Sequence, residues 1–207
     1  MKTAIPINLV IEDTLSEVVL CQLLGQLRKK YEIGNRYGRT GATYIKRRIQ
    51  NFNQAAKGMP YFVLVDQDNA LCPSRLINDW LPYPRHNNLI FRIAVREVES
   101  WILAHRTALA RFLGIQTDKI PEVTDSILDP KQFLINLART SPFARLREAM
   151  VPRALSTAKV GPGYNSELTS FLVNQWKLKA AIEHSPSLKR AVKQLDQFKP
   201  KFNQQSN

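Results

Sequence analysis

Hydrophobic and polar positions alternate along the first half of the chain in blocks that predict strands followed by helices. Short apolar runs rich in β-branched and aromatic residues, each typical of a buried strand, are Ile5–Ile11, Tyr61–Val65 and Asn88–Val95. Apolar residues recur at helical spacing in the segments between and after them, namely Leu15–Lys30, Tyr44–Lys57, Pro73–Leu81 and Glu97–Leu113. This alternation predicts an α/β fold with a mostly parallel sheet flanked by helices.

The pattern changes after Gly114, where only helical periodicity continues. The helices predicted there are Pro130–Ala138, Phe143–Met150, Glu167–His184 and Ser187–Phe198. Within the first half, Gly34–Gly41 is predicted to be a Gly-rich, basic loop. We therefore expect an α/β core over residues 1–114, an all-helical C-terminal subdomain over residues 115–198 and a disordered tail over residues 199–207.

The charge of the chain is strongly basic and unevenly distributed. Its 207 residues include 30 Lys and Arg against 17 Asp and Glu, a formal net charge of +13. Residues 1–60 and 151–207 each carry +6, whereas residues 61–100 carry −1 and residues 101–150 carry +2. A basic excess favours polyanionic partners such as nucleic acid through counterion release. No apolar run is long enough for a membrane span and no signal-peptide pattern is visible, so we expect a cytoplasmic protein without a membrane partner; the oligomeric state stays open.

Acidic residues follow the predicted strands. Glu12 follows the first strand, Asp66 and Asp68 follow the second, and Glu97 and Glu99 follow the third. In parallel α/β sheets, binding sites form beyond the carboxyl ends of the strands. Two carboxylates that are two residues apart point to the same side of an extended chain. Oxygen ligands of this kind suit Mg²⁺ or Mn²⁺, ions that position phosphate oxygens and activate water.

Each of these acids also has a structural explanation. Asp66 and Asp68 are common turn formers after a strand. Glu12 is favoured by the positive end of the following helix dipole. Thr14 and Glu17 have the spacing of a capping box, which accounts for Glu17 without a functional role.

Glu97 and Glu99 raise a geometric question. Residues i and i+2 lie about 200° apart around a regular helix, so both cannot face one site from within it. They can do so if extended backbone continues to Glu99 and the helix begins later. Otherwise one is a ligand and the other pairs with a base such as Arg96. Trp101 is interpreted as a core anchor.

The placement of Glu12 on a strand-to-helix turn, followed by a strand that ends in Asp66-x-Asp68, resembles the Toprim domain of topoisomerases, primases and OLD-type nucleases. The longer pattern is similar to a Toprim-like family encoded beside ATPases in bacterial phage-defence loci. The segments that carry it are VIEDTLSE (Val10–Glu17), VLVDQDNALCP (Val63–Pro73), REVESWILAH (Arg96–His105), VPRALSTAKVGPGYN (Val151–Asn165) and SPSLKRAVKQL (Ser185–Leu195). The resemblance implies a Mg²⁺-dependent phosphodiester site, with the glutamate as acid or base and the aspartates as metal ligands, and an ATPase partner protein.

Two positions depart from the pattern that the resemblance implies. Asp13 stands where Toprim sequences usually have a glycine in a tight turn, and His105 stands where we expect a further acid. The Gly/Pro segment that contains Lys159 either holds a phosphate or is a turn between helices. No Walker A sequence is present, and the HAD phosphatase pattern lacks its Thr or Val two residues beyond Asp68.

These observations predict a Toprim-type, metal-dependent nuclease that acts on DNA or RNA. Asp66 and Asp68 would hold Mg²⁺ or Mn²⁺, Glu12 would be a ligand or the general base, and Glu97 or Glu99 would complete the metal site. Basic side chains would guide the phosphate backbone, namely Arg36, Arg39, Lys46, Arg47, Arg48 and Lys159. The alternatives are a non-catalytic Toprim-like module that binds nucleic acid or docks the ATPase, and a phosphatase that acts on small substrates.

Overall fold

The structure is a computed structural model that describes residues 4–68 and 70–201. It confirms the α/β class, and its described residues divide into two compact units. The sheet unit contains residues 4–95 and 190–201, and the helical unit contains residues 96–189. The division falls after Val95, so the segment 96–114, which was assigned to the predicted core, belongs to the helical unit.

The sheet unit alternates strands with helices, as the apolar pattern predicts. Its elements are β1 (Ile5–Ile11), α1 (Thr14–Gln26), β2 (Tyr31–Gly38), α2 (Ala42–Ala55), β3 (Tyr61–Asp66), α3 (Pro73–Trp80) and β4 (Leu89–Ala94). The helical unit contains α4 (Glu99–Leu103), α5 (Arg106–Leu113), α6 (Pro130–Arg139), α7 (Ala144–Met150), α8 (Tyr164–Asn174) and α9 (Leu178–Ala181), with 3₁₀ turns at Thr117–Lys119 and Thr124–Ser126. The last helix, α10 (Pro186–Gln197), begins in the helical unit and ends in the sheet unit. None of the helices among the described residues is long and apolar enough to cross a membrane.

The four strands are all parallel and have the order β2-β1-β3-β4. The chain therefore moves from β1 to β2 on one side and then crosses to β3 on the other side of β1. One sheet face packs on α2 and α3, in a buried cluster that includes Val63, Phe91, Ile49 and Leu76. Parallel crossovers are almost always right-handed, so the reversal between β1 and β3 places helices on both faces of the sheet and leaves a crevice at the strand ends.

The prediction of a loop at Gly34–Gly41 is wrong, because most of this segment forms β2. The strand lies at the sheet edge, and half of its residues are exposed while none is fully buried, so it lacks the apolar run that marks β1 and β3. Its backbone pairs with β1 through a register shift between Ile7 and Leu9. At that shift, the Asn8 side-chain oxygen accepts a hydrogen bond from the Asn35 backbone N–H at 2.8 Å.

Two predicted long helices are each divided in the helical unit. The segment Glu97–Leu113 breaks between α4 and α5, where the Nδ1 atom of His105 accepts a hydrogen bond from the Lys177 backbone N–H at 3.0 Å. The segment Glu167–His184 breaks between α8 and α9, where the Trp176 indole donates to the Trp101 carbonyl at 3.0 Å. Trp101 is fully buried, which confirms its interpretation as a core anchor.

The predicted tail begins at Lys199, but its first residues are tied to the sheet unit. The Lys201 backbone N–H donates to the Asn88 side-chain oxygen at 2.7 Å, and the Asn88 amide donates to the Lys201 carbonyl at 2.7 Å. Residues 202–207 of that predicted tail lie outside the described part of the chain.

Replacement of Gly38 by alanine is expected to destabilise the sheet unit. Gly38 has φ of +100°, and a Cβ atom there would lie 2.1 Å from the Ile11 carbonyl oxygen. We expect a loss of about 2–3 kcal/mol in the free energy of unfolding, measured by urea denaturation. Gly25→Ala is the matched control, because nothing lies within 4 Å of its added Cβ in α1, and it should gain about 0.5–1 kcal/mol. Equal effects of the two substitutions on the free energy of unfolding would contradict the requirement for glycine at position 38.

Candidate functional site

Glu12 and Asp66 meet at the carboxyl ends of the two central strands. Ile11 of β1 is in register with Leu64 of β3, so the residues that follow emerge side by side. The Glu12 Oε1 atom accepts a hydrogen bond from the Asp66 backbone N–H at 2.9 Å. This is the point at which the strand order reverses, where ligands bind in parallel α/β sheets.

The segment after β2 closes around the backbone of Glu12. The Arg39 backbone N–H donates to the Ile11 carbonyl at 2.9 Å, and the Gly41 N–H donates to the Glu12 carbonyl at 3.0 Å. Gly41 has φ of +88° and is the N-cap of α2, which has no side-chain cap. The first turn of α2 therefore presents backbone N–H groups beside Glu12, an arrangement that favours anions.

The backbone conformation and the capping role of Asp13 explain why this position can differ from the glycine that the resemblance implies. Its φ of −147° is ordinary extended backbone, so glycine is not required at this position. Its carboxylate accepts a hydrogen bond from the Ser16 backbone N–H at 2.7 Å and caps α1. The predicted capping box of Thr14 and Glu17 is therefore wrong, since Thr14 is already the first residue of the helix.

Asp68 does not continue the strand beyond Asp66. β3 ends at Asp66, and Asp68 is exposed with φ of +48°, so the extended geometry that would align the two carboxylates is not maintained. Between them, Gln67 is buried; its backbone N–H donates to the Ala94 carbonyl at 3.0 Å and its side-chain amide to the Ala70 carbonyl at 2.8 Å. The turn after β3 is thus anchored by the buried side chain and backbone of Gln67.

In the helical unit, Glu97 and Glu99 converge on Lys131. The Lys131 ammonium lies 3.3 Å from the Glu97 Oε1 atom and 3.5 Å from the Glu99 Oε1 atom. Tyr164 also donates its hydroxyl to the Glu99 Oε1 atom at 3.2 Å, and the Glu99 side chain is only 1% exposed. The convergence is possible because Glu97 precedes α4 and Glu99 is its first residue. The pattern of acids gave no signal for Lys131 or Tyr164.

The predicted basic residues have different environments. Arg36 and Arg39 both pair with the Glu17 carboxylate, at 2.9 Å and 2.6 Å, and the hydrogen bond from Arg39 raises the pKa of that guanidinium. Three further cations, Lys46, Arg47 and Arg48, are exposed on α2. Lys159 is exposed in the helical unit. The turn that follows it is held to α7 by two backbone hydrogen bonds. The Gly161 N–H donates to the Met150 carbonyl, and the Gly163 N–H donates to the Ala149 carbonyl. These amides face carbonyl oxygens, which favours the interpretation of this segment as a turn.

The donor atoms at the strand ends fit a hard divalent cation. Among the described residues, no three His, Cys, Asp or Glu side chains form a group that can hold a metal ion. Mg²⁺ commonly binds one or two carboxylates and completes its six positions with water and substrate phosphates. Glu12 and Asp66 each bring a carboxylate to adjacent strand ends, where the Glu12 carboxylate accepts the Asp66 backbone N–H, so this pair suits a mode of binding that needs only one or two carboxylates.

Replacement of Lys131 by methionine is expected to destabilise the helical unit. The change leaves two carboxylates, one of them buried, without this ammonium group. Removing one partner of a fully buried pair costs about 3–5 kcal/mol, and because Lys131 is 33% exposed we expect about 1–2 kcal/mol. Urea denaturation is the measurement, and Lys179→Met, at an exposed position of α9, is the control. An unchanged unfolding midpoint for Lys131→Met would contradict a structural role.

His105 is expected to make the protein less stable in mild acid. Burial, followed by the positive charges of Arg111 and Lys177, lowers the pKa of His105. Its contribution to stability is therefore complete above the unfolded-state pKa, near 6.5, and is lost as the pH falls through the lowered folded-state pKa. His105→Asn keeps an acceptor for the Lys177 N–H but does not titrate. Thermal unfolding between about pH 7.5 and pH 5 should show a smaller loss of stability for the variant; parallel curves would contradict this assignment.

Comparison with known proteins identifies no relative of this chain. No protein-family model, curated protein or solved structure matches the chain. The Toprim resemblance stays a prediction, carried by the sequence motifs. The structure contributes the placement of two of the predicted acids, Glu12 and Asp66, at the reversal of the strand order.

Proposed function

We propose that this protein is a Mg²⁺- or Mn²⁺-dependent nuclease that hydrolyses phosphodiester bonds of DNA or RNA. The observation that carries the proposal is the Glu12 carboxylate held on the Asp66 backbone N–H at 2.9 Å, at the switch point of a parallel sheet. The basic net charge of +13 supports a polyanionic substrate. The ATPase partner that the resemblance implies stays a prediction.

The roles of the acids follow from their positions. Asp66, at the end of β3, and Glu12 would hold the ion, and Asp68 on the exposed turn would join them from the same strand end. A bound divalent cation in such a site orients phosphate oxygens and lowers the pKa of a coordinated water. If the aspartates alone hold the ion, Glu12 is instead the residue positioned to accept a proton, because the backbone of the neighbouring strand fixes its carboxylate.

The same edge of the sheet offers contacts for a phosphate. The uncapped first turn of α2 presents N–H groups immediately after Gly41, whose own N–H is bonded to Glu12. Arg36 and Arg39 share the single Glu17 carboxylate, so this group of three keeps one net positive charge. An anion placed beside Glu12 therefore meets backbone dipoles and a cation instead of acids alone.

A second candidate is a non-catalytic module that binds nucleic acid. The position of Lys131 favours it, because a lysine ammonium already compensates Glu97 and Glu99, two of the acids predicted as metal ligands. In that case the protein would bind nucleic acid without metal-dependent cleavage.

Cleavage assays with charge-neutral variants test the proposal. Purified protein is incubated with labelled single- and double-stranded DNA and RNA in Mg²⁺, Mn²⁺ or EDTA. We expect cleavage only with a divalent cation, and a loss of about 100-fold or more in Asp66→Asn and Glu12→Gln. The Glu12→Gln amide oxygen can still accept the Asp66 N–H, so the variant should keep the thermal midpoint of the parent.

Asp79→Asn is the matched control, since Asp79 is an exposed carboxylate on α3 of the same unit. It should cleave as the parent does. Cleavage that persists in Asp66→Asn and Glu12→Gln would overturn the proposal. Salt-sensitive binding of nucleic acid by the parent protein, with no cleavage in either metal, would favour the non-catalytic module.

A further inference from the structure

A cationic groove lies on the sheet unit along its edge strand β4. It has a volume of about 560 Å³, and its walls come from β4, from the second half of α10 and from the segment that follows α10. Its basic lining residues are Arg92, Arg190, Lys193, Lys199 and Lys201. No Asp or Glu lines it among the described residues, so the groove concentrates positive charge.

The positive charge of the groove is not neutralised within the described part of the chain. None of the five basic residues forms an ion pair with a described carboxylate. Arg92 is half-buried; burial, then the charges of Arg85 and Arg190, lowers its pKa. The Nε atom of Arg92 and the side-chain oxygen of Gln194 are buried without a hydrogen-bond partner among the described residues. A bound anion would relieve this repulsion between the cations.

We infer that this groove binds the phosphate backbone of a nucleic-acid strand. The inference rests on the proposed function for the identity of the polyanion, and it adds a binding surface that the sequence pattern did not indicate.

The shape of the charged surface favours a chain of phosphates over one compact anion. Arg190, Lys193 and Gln197 recur at spacings of three and four residues, so they lie along one side of α10 over about 10 Å. That length exceeds the size of a single phosphate group and corresponds to about three base-pair steps along the axis of B-DNA. Lys199 and Lys201, which follow the end of the helix, add two more cations to the groove lining.

The groove offers charge and amide groups but no platform for a base. Phe198 is its one aromatic lining residue, and it is only 7% exposed, so its ring is packed rather than available for stacking. Gln194, Gln197 and Asn87 supply side-chain amides that can donate to phosphate oxygens. Contacts of this kind position a backbone without reading sequence, so binding should be insensitive to base composition.

The groove also lies within reach of the edge that carries Asp66. Arg92 is in register with Leu64, two residues before the end of β3, which corresponds to about 7 Å along the strand direction. The groove extends from Arg92 towards the amino end of β4, where Asn87 lines it and the Lys201 backbone bonds the Asn88 side chain. Its Arg92 end is therefore the one nearer the strand ends at which cleavage is proposed.

Binding measurements on the full chain test the groove separately from cleavage. Fluorescence anisotropy with labelled 20-nucleotide strands of mixed, poly-dT and poly-dA sequence is recorded in EDTA between about 50 and 200 mM NaCl. The groove variant is Arg190→Gln with Lys193→Gln and Lys199→Gln, three exposed positions. We expect its affinity to fall at least about tenfold, and the slope of log K against log salt to flatten by about 2.

The control variant removes the same amount of charge elsewhere, through Lys57→Gln, Lys119→Gln and Lys179→Gln, all at exposed positions. It should lose less than about threefold in affinity. Equal losses of affinity in the two variants would overturn the proposal that the groove binds nucleic acid, because they would show only a general effect of net charge. Competition by inorganic phosphate or ATP beyond that of NaCl at equal ionic strength would overturn the backbone assignment in favour of a small-phosphate site.

The outcomes separate the groove from the nuclease proposal. Asp79→Asn should bind the strands as the parent does, because it leaves both the groove and the proposed metal site intact. Cleavage that persists in Asp66→Asn, combined with weak binding by the groove variant, would overturn the nuclease assignment alone. Unchanged binding by the groove variant, combined with loss of cleavage in Asp66→Asn, would overturn the proposed role of the groove but not the nuclease proposal.

Discussion

The hydrogen bond from the Asp66 backbone N–H to the Glu12 carboxylate, at 2.9 Å, joins the ends of the two central strands. Its position is set by the pairing of β1 with β3 from Asn8–Tyr61 to Ile11–Leu64, since any shift of that register would separate the two residues. The backbone of the segment after β2 then closes on the same point, and Gly38 permits this close approach. The carboxylate is therefore placed by rigid strands, which is what a catalytic or binding group requires.

The ionisable groups of the chain fall into two classes that composition cannot separate. Some are compensated locally: Glu17 pairs with Arg36 and Arg39, and Lys131 pairs with two glutamates of the helical unit. Others, such as Arg92 in the cationic groove, have no carboxylate partner among the described residues. A charge that is not compensated by a neighbour costs free energy unless a ligand supplies the opposite charge. The second class is therefore the more informative about partners.

The strands that sequence predicts best are those that are buried on both faces. β1 occupies the predicted range Ile5–Ile11, and β3 is longer than its predicted run only by Asp66. Both predictions succeed because a continuous apolar run is stable only where both faces of the strand are buried. β2 was missed because an edge strand can remain polar, and its backbone pairing is invisible in composition. The breaks at His105 and near Trp176 were missed as well. They depend on hydrogen bonds between residues about 70 positions apart, which helical periodicity cannot indicate.

The same limit explains why the acids of the site were easier to find than the cationic groove. Glu12 and Asp66 each follow an apolar run directly, so the topology of a parallel sheet brings them together once the strands are recognised. The groove instead joins Arg92 of β4 to Arg190 of α10, whose carbonyl accepts from the Arg92 guanidinium at 3.2 Å across 98 positions of sequence. The local signal is a single arginine within the apolar run Leu89–Ala94. A charge inside an otherwise apolar strand contradicts the pattern around it, and such contradictions concentrate at functional sites because the fold has to offset their cost. In this chain that arginine points to the proposed binding surface more specifically than the overall basic charge does.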